Sequence, residues 1–227
     1  MSGPKLIVFA CDGTLVDSAG VIAKCMADAF QAFDIPAPSL DDVRVVIGLP
    51  LETACARVLA AIGAADAPAS AIADAYKLAF RGRRAAHNTP EPLYPGVAAL
   101  LRDLAATDAV LGVATGKSQR GLRATLGAHG LLDHFMGLQT ADDAPGKPAP
   151  DMLLNLSRDL GCAPDAMVMI GDTTFDMEMA AAAGVRAIGV AWGYHPPDAL
   201  AQPGAAEIAA DAAALRHALD AWMAGGA

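Results

Sequence analysis

Basic residues are scarce in this chain. Sixteen lysines and arginines stand against 25 aspartates and glutamates, a formal net charge of −9. That balance excludes nucleic acid and anionic membrane as expected partners, because phosphate-bearing surfaces are met by clustered Lys and Arg. No apolar run approaches the ~18 residues of a membrane span, and Leu6 to Cys11 is too short for a signal-peptide core. Cysteine is sparse as well: Cys11, Cys25, Cys55 and Cys162 show no C-x-x-C spacing. A disulfide framework or zinc motif is therefore not expected, and buried reduced thiols in a cytoplasmic protein are. There is no internal repeat and no low-complexity tail beyond "AGGA".

What the chain does have is apolar mass, 54% of 227 residues, much of it alanine. That is ample for a buried core of closely packed helices. "LIVFAC" is continuously apolar, as expected of a strand buried on both faces of a parallel sheet. "AVLGVAT" (Ala109 to Thr115), "AMVMIGD" (Ala166 to Asp172) and "RAIGVAWG" (Arg186 to Gly193) repeat that character. Each follows an amphipathic helical stretch, so the pattern predicts βα units whose strand ends share one edge. The segment from Val16 to about Leu93 breaks the rhythm with helical stretches and no strand, punctuated by "IPAPS" and "NTPEPLYPG". The predicted organisation is a Rossmann-like α/β core of residues 1–16 and 93–227, with an inserted α-helical cap domain over residues 17–92.

Four loops at the predicted strand ends carry the chemistry: "ACDGT", "TGKS" at Thr115 to Ser118, "APGKPAPD" around Lys147, and "IGDTTFDM" with Asp172 and Asp176. In this order, with helices in this gap, the chain resembles the helical-capped phosphatases and phosphomutases of the haloacid dehalogenase superfamily, phosphoglycolate phosphatase and β-phosphoglucomutase among them. The resemblance covers nearly the whole sequence.

Residue chemistry fits phosphoryl transfer, which needs positioning and neutralisation of spread negative charge. Asp172 is suited to Mg²⁺, a hard cation that prefers oxygen. Asp176, one turn later, supports the metal or anchors Lys147. Lys147 is a point charge for a phosphoryl oxygen, Thr115 offers a hydroxyl, and Gly116 lets backbone N–H groups approach the same oxygens. Asp12 is the candidate general acid and base; Gly13 permits the turn, and Thr14 is expected to fix Asp12 by a hydrogen bond. In the family the metal also takes the backbone carbonyl at the Asp12 position. The metal set is thus Asp12, Asp172 and Asp176, and the cofactor Mg²⁺.

Position 10 departs from the pattern. The family has a nucleophilic, metal-binding aspartate there, forming an aspartyl-phosphate; this chain has Ala10. Strand alternation turns Cys11 to the opposite face, so it does not substitute. An introduced Asp→Ala substitution and a natural pseudoenzyme both fit, the intactness of the other motifs favouring the first. The expected reaction is Mg²⁺-dependent hydrolysis of a small phosphorylated metabolite, of phosphoglycolate or sugar-phosphate type, with this chain nucleophile-deficient. A phosphomutase and a phospholigand-binding pseudophosphatase are the alternatives.

Other residues read more plainly. Lys117 and Ser118 begin a helix, and Lys117 has a surface role as readily as a substrate contact. Asp17 and Ser18 read as a helix N-cap. The "RGRRAAHN" cluster, Arg81 to Asn88, reads as a solvated face, the alternative being a clamp for an anionic leaving group. Arg44, Gly48 and Leu49 lie where related caps place their specificity loop. Trp192, Tyr194 and His195 read as packing around the last strand, the alternative being a place on the rim of the site.

Overall fold

The computed structural model describes residues 4–86 and 91–225. Six parallel strands form one sheet in the order β3-β2-β1-β4-β5-β6. They are β1 (Leu6–Phe9), β2 (Val110–Ala114), β3 (Gly137–Gln139), β4 (Met167–Gly171), β5 (Arg186–Val190) and β6 (Glu207–Ala209). The chain winds outward from β1 to β3, returns to place β4 beside β1, then winds outward the other way. The winding therefore reverses between β1 and β4, where ligands meet such sheets.

Alternation along β1 explains why both faces are covered. Leu6, Val8 and Ala10 enter one apolar cluster, while Ile7, Phe9 and Cys11 enter the other. The first is closed by α7 (Asp151–Leu160), α8 (Thr174–Ala183) and α9 (Pro197–Ala201). The second is closed by α5 (Val97–Ala105), α6 (Gln119–Ala128) and α10 (Ala212–Met223). The expected four strands are all present. The edge strands β3 and β6 were not predicted, because each is three residues long without an apolar run.

Between β1 and α5 the chain forms α1 (Ala19–Gln31), α2 (Leu40–Arg44), α3 (Leu51–Ala61) and α4 (Ala69–Ala86). These helices bury their own cluster, including Phe30, Val58, Leu59 and Ile72, and Phe175 of α8 reaches into it. A capping box of Ser39 and Asp42 starts α2. The two chain crossings run side by side: Val16 pairs with Leu93, and the Asp17 N–H donates to the Pro92 carbonyl at 2.8 Å. Of the basic cluster, Arg83 pairs with Asp28 at 2.5 Å, while His87 and Asn88 lie outside the described residues. All four cysteines are free and buried. Among the described residues no helix is long and apolar enough to cross a membrane.

Candidate active site

Asp172, at the end of β4, is 0% exposed and wedged between two glycines. A Cβ at Gly13 would lie 2.0 Å from Asp172 Oδ2, and one at Gly193 would lie 2.1 Å from its Cβ. Gly13 also has φ +79°, a left-handed conformation that an L side chain resists. The Thr14 hydroxyl donates to Asp172 Oδ1 at 2.8 Å, and the Tyr194 N–H donates to Oδ2 at 3.0 Å. Thr14 therefore fixes Asp172 and not Asp12, contrary to the sequence expectation, because the turn at Gly13 carries its side chain beneath the β1 loop. Trp192 Nε1 donates to the Thr14 carbonyl at 3.1 Å, tying the loop after β5 to the loop after β1. Gly13→Ala is expected to combine strain with a clash against the buried, hydrogen-bonded Asp172 carboxylate and to cost several kcal/mol, on the order of 3 or more. Loss of cooperative thermal unfolding, or of soluble protein, is the readout.

Burial, with the Asp176 charge adding to it, pushes Asp172 up to about 7. The folded chain thus holds this proton more tightly than the unfolded chain does. In metal-free buffer, the contribution of Asp172 to stability is expected to be fully present at acid pH. It falls as pH rises from the ordinary carboxylate range near 4 through about 7, and levels off above. Asp172→Asn should flatten that slope, as chemical denaturation across pH would show.

Asp12 projects on the same side of its loop as the cavity and is held by the insert's entry and by a lysine. Ser18 Oγ donates to Asp12 Oδ1, and Lys117 Nζ lies 2.7 Å from the same oxygen. Lys117 also reaches Glu91 Oε1 at 3.1 Å, and its side chain is only 7% exposed. Burial is the largest single influence on this ammonium and opposes its charge; anionic neighbours, Asp12 foremost, outweigh it and keep the group protonated. Two expectations are corrected here. Ser18 occupies the N-cap position of α1 but makes no side-chain cap bond, its hydroxyl being given to Asp12. Lys117 is buried in the site, while Ser118 alone caps α6 by accepting from the Gly121 N–H. No sequence pattern announces Lys117, since Glu91, the acid that draws it inward, lies 26 positions away.

Lys147 and Asp176 form a second buried pair, with Nζ 2.6 Å from Oδ1 and exposures of 3% and 1%. The other oxygen of Asp176 accepts from Thr173 N–H at 3.0 Å and from its hydroxyl at 2.7 Å, completing a capping box at the start of α8. Asp176 thus anchors Lys147 through one oxygen and caps α8 through the other. Thr115 is buried, and its Oγ1 accepts from the Lys117 N–H at 3.2 Å.

A cavity of about 310 Å³ opens between this floor and the helical insert. Asp12, Thr115, Gly116, Lys117, Lys147 and Thr173 form its polar side. Gly48 and Leu49 line it from the insert; a Cβ at Gly116 would stand 3.8 Å from either of their carbonyls. Arg44 does not line it. Its side chain is 44% exposed and pairs with Asp41 one turn back on α2 at 3.6 Å, because α2 turns that face to solvent. Asp172 lies behind the cavity wall, under Gly13.

Ala10 is 1% exposed and packs in the same cluster as Ala114. Its N–H donates to Ile170 O at 2.8 Å, and its methyl offers no nucleophile. Cys11, on the other face, is fully buried, and burial pushes its thiol far above the ordinary value, so it is inert.

The donors present do not make up a magnesium site of the implied kind. Lys117 and Ser18 both hold Oδ1 of Asp12, Lys147 and Thr173 hold Asp176, and position 10 has no oxygen. Among the described residues, Asp172 is the buried carboxylate with no ion-pair partner. Among the described residues no group of three His, Cys, Asp or Glu side chains is gathered to hold a metal.

A doubly wound parallel sheet with lysine, threonine and aspartate converging at its carboxyl edge defines an α/β protein with a charged, small-molecule site. Residues 7–190 match the family described as haloacid dehalogenase-like hydrolase, and the chain belongs to that family. It is 38% identical over 197 residues to the probable phosphatase IndB of Dickeya dadantii, covering 86% of this chain and 84% of that protein. It is 34% identical over 221 residues to the phosphoglycolate phosphatase of Rhodospirillum rubrum, covering 93% and 89%. The tyrosine-protein kinase PtkA of Mycobacterium tuberculosis is 32% identical over 196 residues, 86% of this chain but 65% of that protein's length. In three dimensions the crystal structure of a predicted phosphoglycolate phosphatase from Haemophilus somnus matches with a TM-score of 0.84 at 25% identity, over 96% of this chain and 99% of that one. These relatives place the chain among the hydrolases that act on phosphate esters.

Proposed function

We propose that the cavity binds a small phosphomonoester with its phosphoryl group against Thr115, Gly116 and Lys147, and that hydrolysis on this scaffold runs through a carboxylate at position 10 that this chain lacks. The observation that carries the reading is a contrast. Asp12, Thr115 and Lys147 share one cavity floor, whereas the strand end beside them presents only the methyl of Ala10.

With aspartate there, its oxygen attacks phosphorus as the bond to the leaving oxygen breaks and Asp12 supplies that oxygen with a proton. Water then attacks the aspartyl-phosphate, giving its proton to Asp12 and releasing phosphate. Ser18 and Lys117 hold the Asp12 carboxylate in place for both proton transfers. Magnesium dependence belongs to that carboxylate form, since β1 and β4 are paired with Phe9 opposite Ile170, which sets position 10 near Asp172. Phosphoglycolate and sugar phosphates are the substrate classes that the family supplies. The test is phosphate release by folded Ala10→Asp protein over a phosphoester panel with Mg²⁺. Release no faster than that of the Ala10 chain overturns the reading.

A further inference from the structure

We infer that the phosphomonoester this cavity takes carries a flat, apolar leaving group, a single aromatic ring or its equivalent, in preference to the short carboxylate-bearing alcohol of phosphoglycolate. This rests on the phosphomonoester reading above and concerns the opposite end of the same cavity.

That end is built by the helical insert. Met26, Val46, Ile47, Leu49, Tyr76 and Phe80 face the polar floor across about 310 Å³. Tyr76 and Phe80, one turn apart on α4, stack with ring centroids 5.9 Å apart and planes 27° apart. Lys117 Nζ lies 5.8 Å from the Phe80 ring centroid, so the aromatic wall begins where the charged floor ends. A ligand with a phosphoryl head and an apolar ring matches both halves. Cavities for small ligands run from ~300 to ~1,000 Å³, which makes this one large enough for a ring and too small for a multi-ring tail.

A carboxylate at the apolar end would need a desolvated cation to balance its lost hydration. Among the described residues, the cations that line that side are Lys77 and Arg81. Both are exposed, and Lys77 is already paired with Asp74 at 2.9 Å. Among the described residues the buried cation nearest that end, Lys117, is already paired with Asp12 and Glu91, whereas an aromatic ring meets rings and thioether at favourable contact geometry.

Because Ala10 leaves a bound ester intact, affinity can be read directly by titration calorimetry on the protein as it is. Phenyl phosphate is expected to bind at least about tenfold more tightly than phosphoglycolate or inorganic phosphate. Phe80→Ala should remove about tenfold from phenyl phosphate affinity and leave inorganic phosphate unchanged, while Phe80→Leu, which keeps the apolar volume, should lose less. Phosphoglycolate binding as tightly as phenyl phosphate, or no selective loss in either Phe80 variant, overturns the inference and spares the phosphoester reading. Failure of all three ligands to bind folded protein overturns that reading itself.

Discussion

Aspartate at position 10 is expected to raise phosphate release by on the order of 10⁴-fold or more over the Ala10 chain. Removing a nucleophile from a cooperating catalytic set costs on the order of 10⁶ in kcat. The reverse change should recover much of that, because the remaining groups already share one floor. The gain should come with a loss of stability. Ala10 is 1% exposed and its neighbourhood already holds Asp172, buried without an ion-pair partner. A further carboxylate there raises the proton affinity of both acids and destabilises the fold at neutral pH. Mg²⁺ should offset this, so thermal midpoints of Ala10→Asp in EDTA and in Mg²⁺ should diverge while those of the Ala10 chain stay close. Ala10→Asn is the control, matching the volume without supplying a nucleophile. If Asn and Asp variants fold alike and release phosphate at equal rates, position 10 is not the nucleophile site.

Removing Lys147 is expected to have the second largest effect. Its ammonium lies 2.6 Å from an Asp176 oxygen, with exposures of 3% and 1%. Lys147→Met leaves that carboxylate buried and uncompensated, a loss of about 3–5 kcal/mol. In a chain of this size that lowers the melting midpoint by roughly 6 to 20 °C. Lys147→Met/Asp176→Asn should recover a substantial part, since asparagine keeps an oxygen for Thr173 and drops the stranded charge. Phosphate affinity should fall in both variants, which separates the two roles: the pair sets stability, and the cation alone attracts the anion. A Lys147→Met protein as stable as the parent would show that the pair is not buried as placed.

Much of this architecture is legible one segment at a time. The four interior strands are apolar runs because both their faces are covered, and the helices between them carry their own period. The "ACDGT", "TGKS" and "IGDTTFDM" loops stand at strand ends by simple adjacency. The edge strands were not legible, since Gly137–Gln139 and Glu207–Ala209 are half-solvated and too short for a pattern.

Side-chain partners were less readable than loop positions. Thr14 serves Asp172, Ser18 serves Asp12, and Tyr194, read as packing, closes over Asp172 together with Gly193. Arg44 belongs to solvent and Lys117 to the site.

Sequence alone determined which loops would crowd one sheet edge and that the end of the first strand carries a methyl at position 10, because hydrophobic period and residue identity are properties of chain neighbours. Only the tertiary structure decided which acids are neutralised by lysines and which one is not. Ion pairing is settled by distance and dehydration among residues as far apart as Asp12 and Lys117, and no local pattern encodes either.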